Sequence, residues 1–266
     1  MSNQLLVERD GAICTVTLNL PERLNPMTAP GMVDAIVAAT EAIDRDSGIR
    51  VAILTGAGKA FSAGGDLKRV AAADSPTRRP PVEVHNWYIE GVQRIPRMID
   101  ALRVPLIAAV NGPAISGGCD LACMADIRIA GESATFASNF IRLGIIPGDG
   151  GAYFLTRAIG SARAAEMIFT GDTIDARQAL AWGLVSRVVP DGDLMAEAKK
   201  LAGRIAANPG YALRMAKRLM RETRHADLDG VLELSAALQA IAHTAPEYRE
   251  AVDAFMERRR PDFSGA

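Results

Sequence analysis

Residues 49–56, IRVAILTG, are apolar almost without interruption. A strand with one wet face alternates apolar and polar side chains; a run without alternation must be covered on both faces, the setting of parallel sheets with helices above and below. That single run directs the chain toward an α/β architecture. Upstream, AICTVTLNL (12–20) alternates, is rich in β-branched side chains, and reads as a strand ended by Pro21. Between the two, residues 28–46 read as a helix, with Thr28 as N-cap and Met32, Ile36 and Ile43 at helical spacing. This β–α–β order predicts parallel pairing through a crossover helix.

The pattern then recurs. A loop carrying Pro76, Pro80 and Pro81 leads to a helix over 83–101, an apolar strand PLIAAVN (105–111), a buried helix CDLACMAD near 117–124 and a short strand at 126–130. After Val189 the signals are almost all helical: 193–207, 210–224, 228–243 and 247–258, punctuated by Pro209, Gly230 and Pro246. The expected division is a β/α core over 1–195 and a helical region over 196–266. A chain of 266 residues is long enough to bury a large core. Thirty Lys and Arg against 31 Asp and Glu leave a net charge of -1, so there is no global field for nucleic acid or an anionic membrane, and an anionic ligand must be held locally. Cys14, Cys119 and Cys123 are odd in number and lack a second Cys or His pair, so they suggest neither disulfides nor zinc. With no apolar N-terminal run and no stretch near the roughly 18 residues a spanning helix needs, a soluble, cytoplasmic protein is expected.

Glycine gathers in three places: TGAGKAFSAGG (55–65), NGPAISGG (111–118) and GIIPGDGG (144–151), each beside a strand-like run. Backbone amides there can approach a ligand without a Cβ in the way. The spacing fits neither a phosphate loop nor a dinucleotide fingerprint. Gly117 opens the buried helix, where unpaired amides at the positive end of the dipole stabilise an anionic oxygen. A second amide from the Ser62-Ala63-Gly64 loop facing it makes an oxyanion hole fit for a thioester enolate. Asp120, three residues on and on the same helical face, has two readings: an acid–base group reaching a substrate seated at Gly117, or a first-turn acid complementing the dipole. Ser116 lies outside any G-x-S-x-G elbow, which argues against a serine nucleophile.

The stretches FSAGGDL (61–67), PLIAAVNGPAISGGCDLACMADIRIA (105–130), ATFASNFIRLGIIPGDGG (134–151), LTRAIG (155–160), AEMIFTGDTIDARQALAWGLVSRVV (165–189) and AFMERRRPDFSG (254–265) resemble the enoyl-CoA hydratase/isomerase (crotonase) family, in the same order and over nearly the whole chain. The resemblance implies a spiral of repeated ββα units with a C-terminal helical trimerisation region, assembled as a homotrimer or dimer of trimers. It implies Ala63 and Gly117 as the oxyanion hole. Gly64, Gly65, Asp66 and Leu67 would lie along coenzyme A, with Leu24 in the nearby PERLN segment (21–25). Coenzyme A would be part of the substrate, with no separate cofactor or metal, and the setting would be fatty-acid metabolism.

Two departures bear on the reaction. Where relatives carry a glutamate pair, this chain has Asp120 and Phe140. Hydrating a C2=C3 bond needs one group to activate water and one to protonate C2; Phe140 does neither and reads as lining an acyl pocket. Asp149, in PGDGG, either replaces the lost carboxylate or is a turn residue capping the helix that starts near Gly151. His85, His225 and His243 are too scattered for a ligand set; only His85 lies where the acyl pocket is expected. The basic run 258–260 reads as a solvated helix end, or as lying near a CoA nucleotide. The expected activity is hydration of a 2-enoyl-CoA. Isomerisation, decarboxylation or C–C hydrolysis on the same scaffold is the first alternative, and a non-catalytic acyl-CoA binding protein the second.

Overall fold

The computed structural model describes residues 4–263, apart from the side chain of Leu67. The strands are β1 (Leu5–Asp10), β2 (Ile13–Leu18), β3 (Val51–Gly56), β4 (Leu106–Val110), β5 (Ala114–Ile115), β6 (Ile127–Gly131), β7 (Thr135–Ala137), β8 (Thr173–Asp175) and β9 (Arg187–Val189). The helices are α1 (Met32–Arg45), α2 (Leu67–Ala71), α3 (Pro81–Glu90), α4 (Arg94–Ala101), α5 (Gly117–Met124), α6 (Gly151–Ile159), α7 (Ser161–Thr170), α8 (Ala176–Ala181), α9 (Leu194–Ala206), α10 (Gly210–Glu222), α11 (Leu228–Ala242) and α12 (Pro246–Met256). Six strands form one sheet in the order β1-β2-β3-β4-β6-β9, parallel except for the antiparallel pair β1–β2. A smaller sheet, β5-β7-β8, stands beside it.

The unalternating β3 is buried along its whole length, and so is β4. Ala52, Leu54, Leu106 and Ala108 face one core with Met32 and Ile36 of α1, Ile95 and Ile99 of α4, and Leu121 of α5. Val51, Ile53, Ile107 and Ala109 face the other, closed by Leu194, Ala198 and Ala202 of α9. Both faces are dry, which is why the strand has no polar alternate positions. α9 therefore packs on the sheet, although it begins where the sequence placed the start of the helical region. α10 is held by polar anchors: Arg214 donates to the carbonyls of Asp44 and Asp46, each at 2.8 Å, and Lys217 reaches Asp126 at 2.7 Å. No residue of α11 is buried, and Leu228, Leu232, Phe255 and Met256 stand exposed on α11 and α12. Among the described residues no helix is long and apolar enough to cross a membrane.

Three local readings change. α1 starts at Met32 behind Gly31 (φ +80°), and Thr28, expected as its cap, instead accepts a hydrogen bond from the Asp66 amide at 2.9 Å. The helix expected over 83–101 is two, α3 and α4, parted at Gly91. β1 was not legible as a strand because it is an edge strand with five of its six residues exposed, so its composition carries no core signal.

Candidate active site

The parallel strands β3 and β4 end on the same side of the sheet, and the first two glycine-rich loops leave from those ends. The loops stack backbone on backbone. A Cβ on Gly64 (φ +78°) would fall 2.5 Å from the Ile115 carbonyl and 2.7 Å from the Gly117 nitrogen, so only glycine allows this approach. Asn25, fully buried, ties the assembly together: its Nδ2 donates to the Ala57 and Ala60 carbonyls at 2.9 and 2.8 Å, and its Oδ1 accepts from the Leu20 amide.

The amides in the first loop are differently occupied. Ala63 N–H donates to the Leu24 carbonyl at 2.8 Å and Gly64 N–H to Ser62 Oγ at 3.1 Å. Ala63 is therefore not an oxyanion donor, contrary to the expectation from sequence: its proton is already spent within the loop. Gly65 N–H has no hydrogen-bond partner among the described residues, and a Cβ there would meet nothing nearer than Thr28 Oγ1 at 4.0 Å. Gly117 N–H, the first amide of α5, also lacks a partner among them. The sequence identified the loop but not the amide, because which of three successive N–H groups is left over is decided by Leu24 and Ser62, which bond the other two.

Asp149 approaches this point, and the carboxyl of Asp120 lies against Gly151. Asp149 is 6% exposed, and its Oδ2 lies 2.7 Å from where a Cβ on Gly117 would stand, so the carboxyl covers the Gly117 Cα. Burial pushes its pKa up to about 6. The capping reading fails, since Gly150 is the N-cap of α6 and no side chain bonds there. Asp120 has no exposure, and neither carboxyl oxygen has a hydrogen-bond partner. Its Oδ1 lies 2.1 Å from the position of a Cβ on Gly151, so this glycine makes room for the acid. Burial and then the charge of Asp149 push the Asp120 pKa well above its usual value.

Beside Asp149 opens an apolar cleft of ≈ 510 Å³, walled by Tyr88, Ile89, Gln93, Ile145 and Ile146, with exposed His85 at its rim. The Asp149 charge and burial both raise the Tyr88 phenol pKa, burial more, and Gln93 Nε2 donates to the Gly148 carbonyl at 3.0 Å, fixing the turn that carries Asp149. Phe140, 7% exposed, is not among the residues lining this cleft. Asp66 pairs with Arg23, holding the CoA-loop candidate to the segment that contains Leu24. Ser116, between β5 and α5, has φ +50° and ψ −121°, with its Oγ 2.5 Å from Asn139 Oδ1. A larger basic cleft of ≈ 970 Å³, lined by Arg9, Arg50, Arg204 and Arg260, lies at the opposite ends of β2 and β3 and holds none of these groups. Among the described residues no cluster of three His, Cys, Asp or Glu is placed to hold a metal.

Fold and loops together define an α/β protein whose open backbone amides sit beside two enclosed carboxyls. Residues 8–266 match the enoyl-CoA hydratase/isomerase family, and the chain belongs to that family. It is 40% identical over 260 residues to a probable enoyl-CoA hydratase of Mycobacterium bovis, covering 98% of this chain and 97% of that protein. It is 36% identical to the 1,2-epoxyphenylacetyl-CoA isomerase of Escherichia coli over the full length of both. The crystal structure of an enoyl-CoA hydratase from Bacillus anthracis superposes with a TM-score of 0.91 at 33% identity, covering 99% of this chain and 100% of that one.

Proposed function

We propose that the protein acts on acyl-CoA thioesters by holding the thioester oxygen between the Gly65 and Gly117 amides and moving protons at the adjacent carbon with Asp149. The observation that carries this reading is the Asp149 carboxyl lying over Gly117, whose amide is unpartnered. Two N–H groups aimed at one oxygen stabilise the charge that develops when C2 loses or awaits a proton. A carboxyl with a pKa of about 6 is poised to accept and return that proton near neutral pH. The acyl chain enters the cleft between Tyr88 and Ile145, and Leu24, Gly64, Asp66 and Leu67 flank coenzyme A, which arrives with the substrate rather than as a separate cofactor.

Hydration of a 2-enoyl-CoA is the reaction supported by the likeness to the probable enoyl-CoA hydratase of Mycobacterium bovis. Isomerisation of the double bond is the second reading, favoured by one observation: Asp120 is sealed and Phe140 supplies no acid, so one carboxyl, Asp149, does the proton work, and a single group that removes and replaces a proton suffices for a shift. The exposed apolar side chains of α11 and α12 support assembly into a homotrimer or dimer of trimers, and the free, buried Cys14, Cys119 and Cys123 support a reducing, cytoplasmic setting. The test follows loss of trans-2-enoyl-CoA and, separately, exchange of the C2 proton with deuterated water, for wild type and Asp149→Ala. Exchange abolished by Asp149→Ala is expected. Wild-type protein that neither consumes the enoyl thioester nor exchanges any acyl-CoA would overturn the reading, and full activity in the variant would remove Asp149 from it.

A further inference from the structure

We propose that Ser116 is a third donor to the thioester oxygen, kept in a strained backbone for that purpose and served by Asn139; this rests on the enolate reading above. The starting point is conformational. A φ of +50° with ψ −121° belongs to the first central position of a type II′ turn, which glycine occupies without cost and a side chain does not. Leu24, also at positive φ, sits in the ordinary left-handed basin with ψ 36°; Ser116 does not. Such residues persist where the surroundings hold them, and they gather at sites where the strain serves the chemistry. Here the surroundings do hold it: Ser116 N–H donates to the Ala137 carbonyl at 2.8 Å, and its own carbonyl accepts from the Asp120 amide at 3.1 Å.

The same backbone dictates where the hydroxyl goes. Ser116 lacks the elbow's sequence but shares its place between a strand and a helix, β5 and α5, where the N–H that follows the serine binds an oxyanion. Here the following residue is Gly117, whose amide is unpartnered, and in the proposed arrangement an oxygen seated on that amide is met by Oγ. A nucleophilic role has no base to support it: the group touching Oγ is the neutral amide of Asn139, and His85, His225 and His243 all lie elsewhere on exposed surface. In this structure the hydroxyl donates to Asn139 Oδ1, so the donor role takes a turn of the Asn139 amide that brings its Nδ2–H to Oγ. The Ser116 proton is then free to point at the thioester oxygen, and Asn139 polarises the hydroxyl that donates. Ser116 and Asn139 are both half-buried, open enough to meet a ligand and enclosed enough for the bond to count.

The experiment compares wild type with Ser116→Gly, Ser116→Ala and Asn139→Asp. Glycine removes both hydroxyl and strain, so Ser116→Gly is expected to lower kcat for C2 exchange by ~100-fold, the scale of one lost oxyanion donor, with KM within about twofold, while Tm rises by a few degrees. Ser116→Ala should lose the same rate without the gain in Tm. Asn139→Asp, which accepts the Ser116 proton and keeps it from the substrate, should match that loss. Infrared difference spectra of bound butyryl-CoA give a readout independent of turnover: the thioester carbonyl stretch should lie at higher frequency in Ser116→Gly than in wild type. This keeps the two ideas apart, because absent exchange in wild type would refute the enolate reading alone. Equal carbonyl frequencies, wild-type kcat in Ser116→Gly, or a Tm lowered by that substitution would each overturn the role of Ser116.

Discussion

Replacing Asp149 with asparagine separates the cost of its charge from its shape. The carboxyl is 6% exposed, and burial raises its pKa from 3.8 to about 6. A carboxyl whose pKa is higher in the folded than in the unfolded chain holds its proton more tightly when folded. Its contribution to stability is therefore fully present below pH 3.8 and is lost as the pH rises through 6. At about 1.4 kcal/mol per pH unit, the interval amounts to ~3 kcal/mol. Asparagine is nearly isosteric and never ionises, so the Asp149→Asn protein should gain on wild type by ~3 kcal/mol between about pH 4 and about pH 8. Urea titrations of both proteins across that range, followed by far-ultraviolet circular dichroism, measure it. Taking the difference between the two proteins cancels the groups that do not feel the Asp149 charge, which leaves Asp120 and Tyr88 to be followed alongside. The same substitution should abolish C2 exchange, which in wild type should rise with pH through a midpoint near 6 as the base form appears. A stability difference that stays flat from about pH 4 to about pH 8 would refute the reasoning, since Asp149 would then ionise as freely folded as unfolded.

Two further outcomes follow from the packing. Gly151→Ala places a Cβ 2.1 Å from Asp120 Oδ1 and should cost about 1–3 kcal/mol of stability, while Asp120→Ala in the same chain should restore most of it, a coupling read by a double-mutant cycle in urea. Asn25→Ala leaves the Ala57 and Ala60 carbonyls and the Leu20 amide without their side-chain partner and should cost ~3 kcal/mol or more; a change below about 0.5 kcal/mol in the urea midpoint analysis would show that water replaces those bonds without loss.

The sheet core was legible in the sequence because burial on both faces writes itself as unbroken apolar residues, as in β3 and β4. Edge and short strands were not: β1 has one paired side and mostly solvent around it, and β5, β7 and β8 are two or three residues long, too short for a period to show. In the site, glycine clustering marked the loops, since close backbone approach requires glycine wherever it occurs. What glycine content does not reveal is which amide remains free, and so Ala63 was expected where Gly65 stands open. The environments of the carboxyls were equally hidden. Asp120 and Asp149 are the same residue type, and only the surrounding fold makes one a sealed acid and the other a group beside a cleft. Ser116 gave no sign either, because a serine before two glycines is unremarkable until its φ and ψ are known.

Asp120, finally, has no route to bulk water of its own. Any hydrogen ion it takes up or gives away has to wait until the turn around Gly151 lifts. Its isotopic turnover in deuterated solvent therefore keeps the tempo of that turn rather than of the medium, and a slow label on a single carboxyl would serve as a clock for how often this part of the molecule opens.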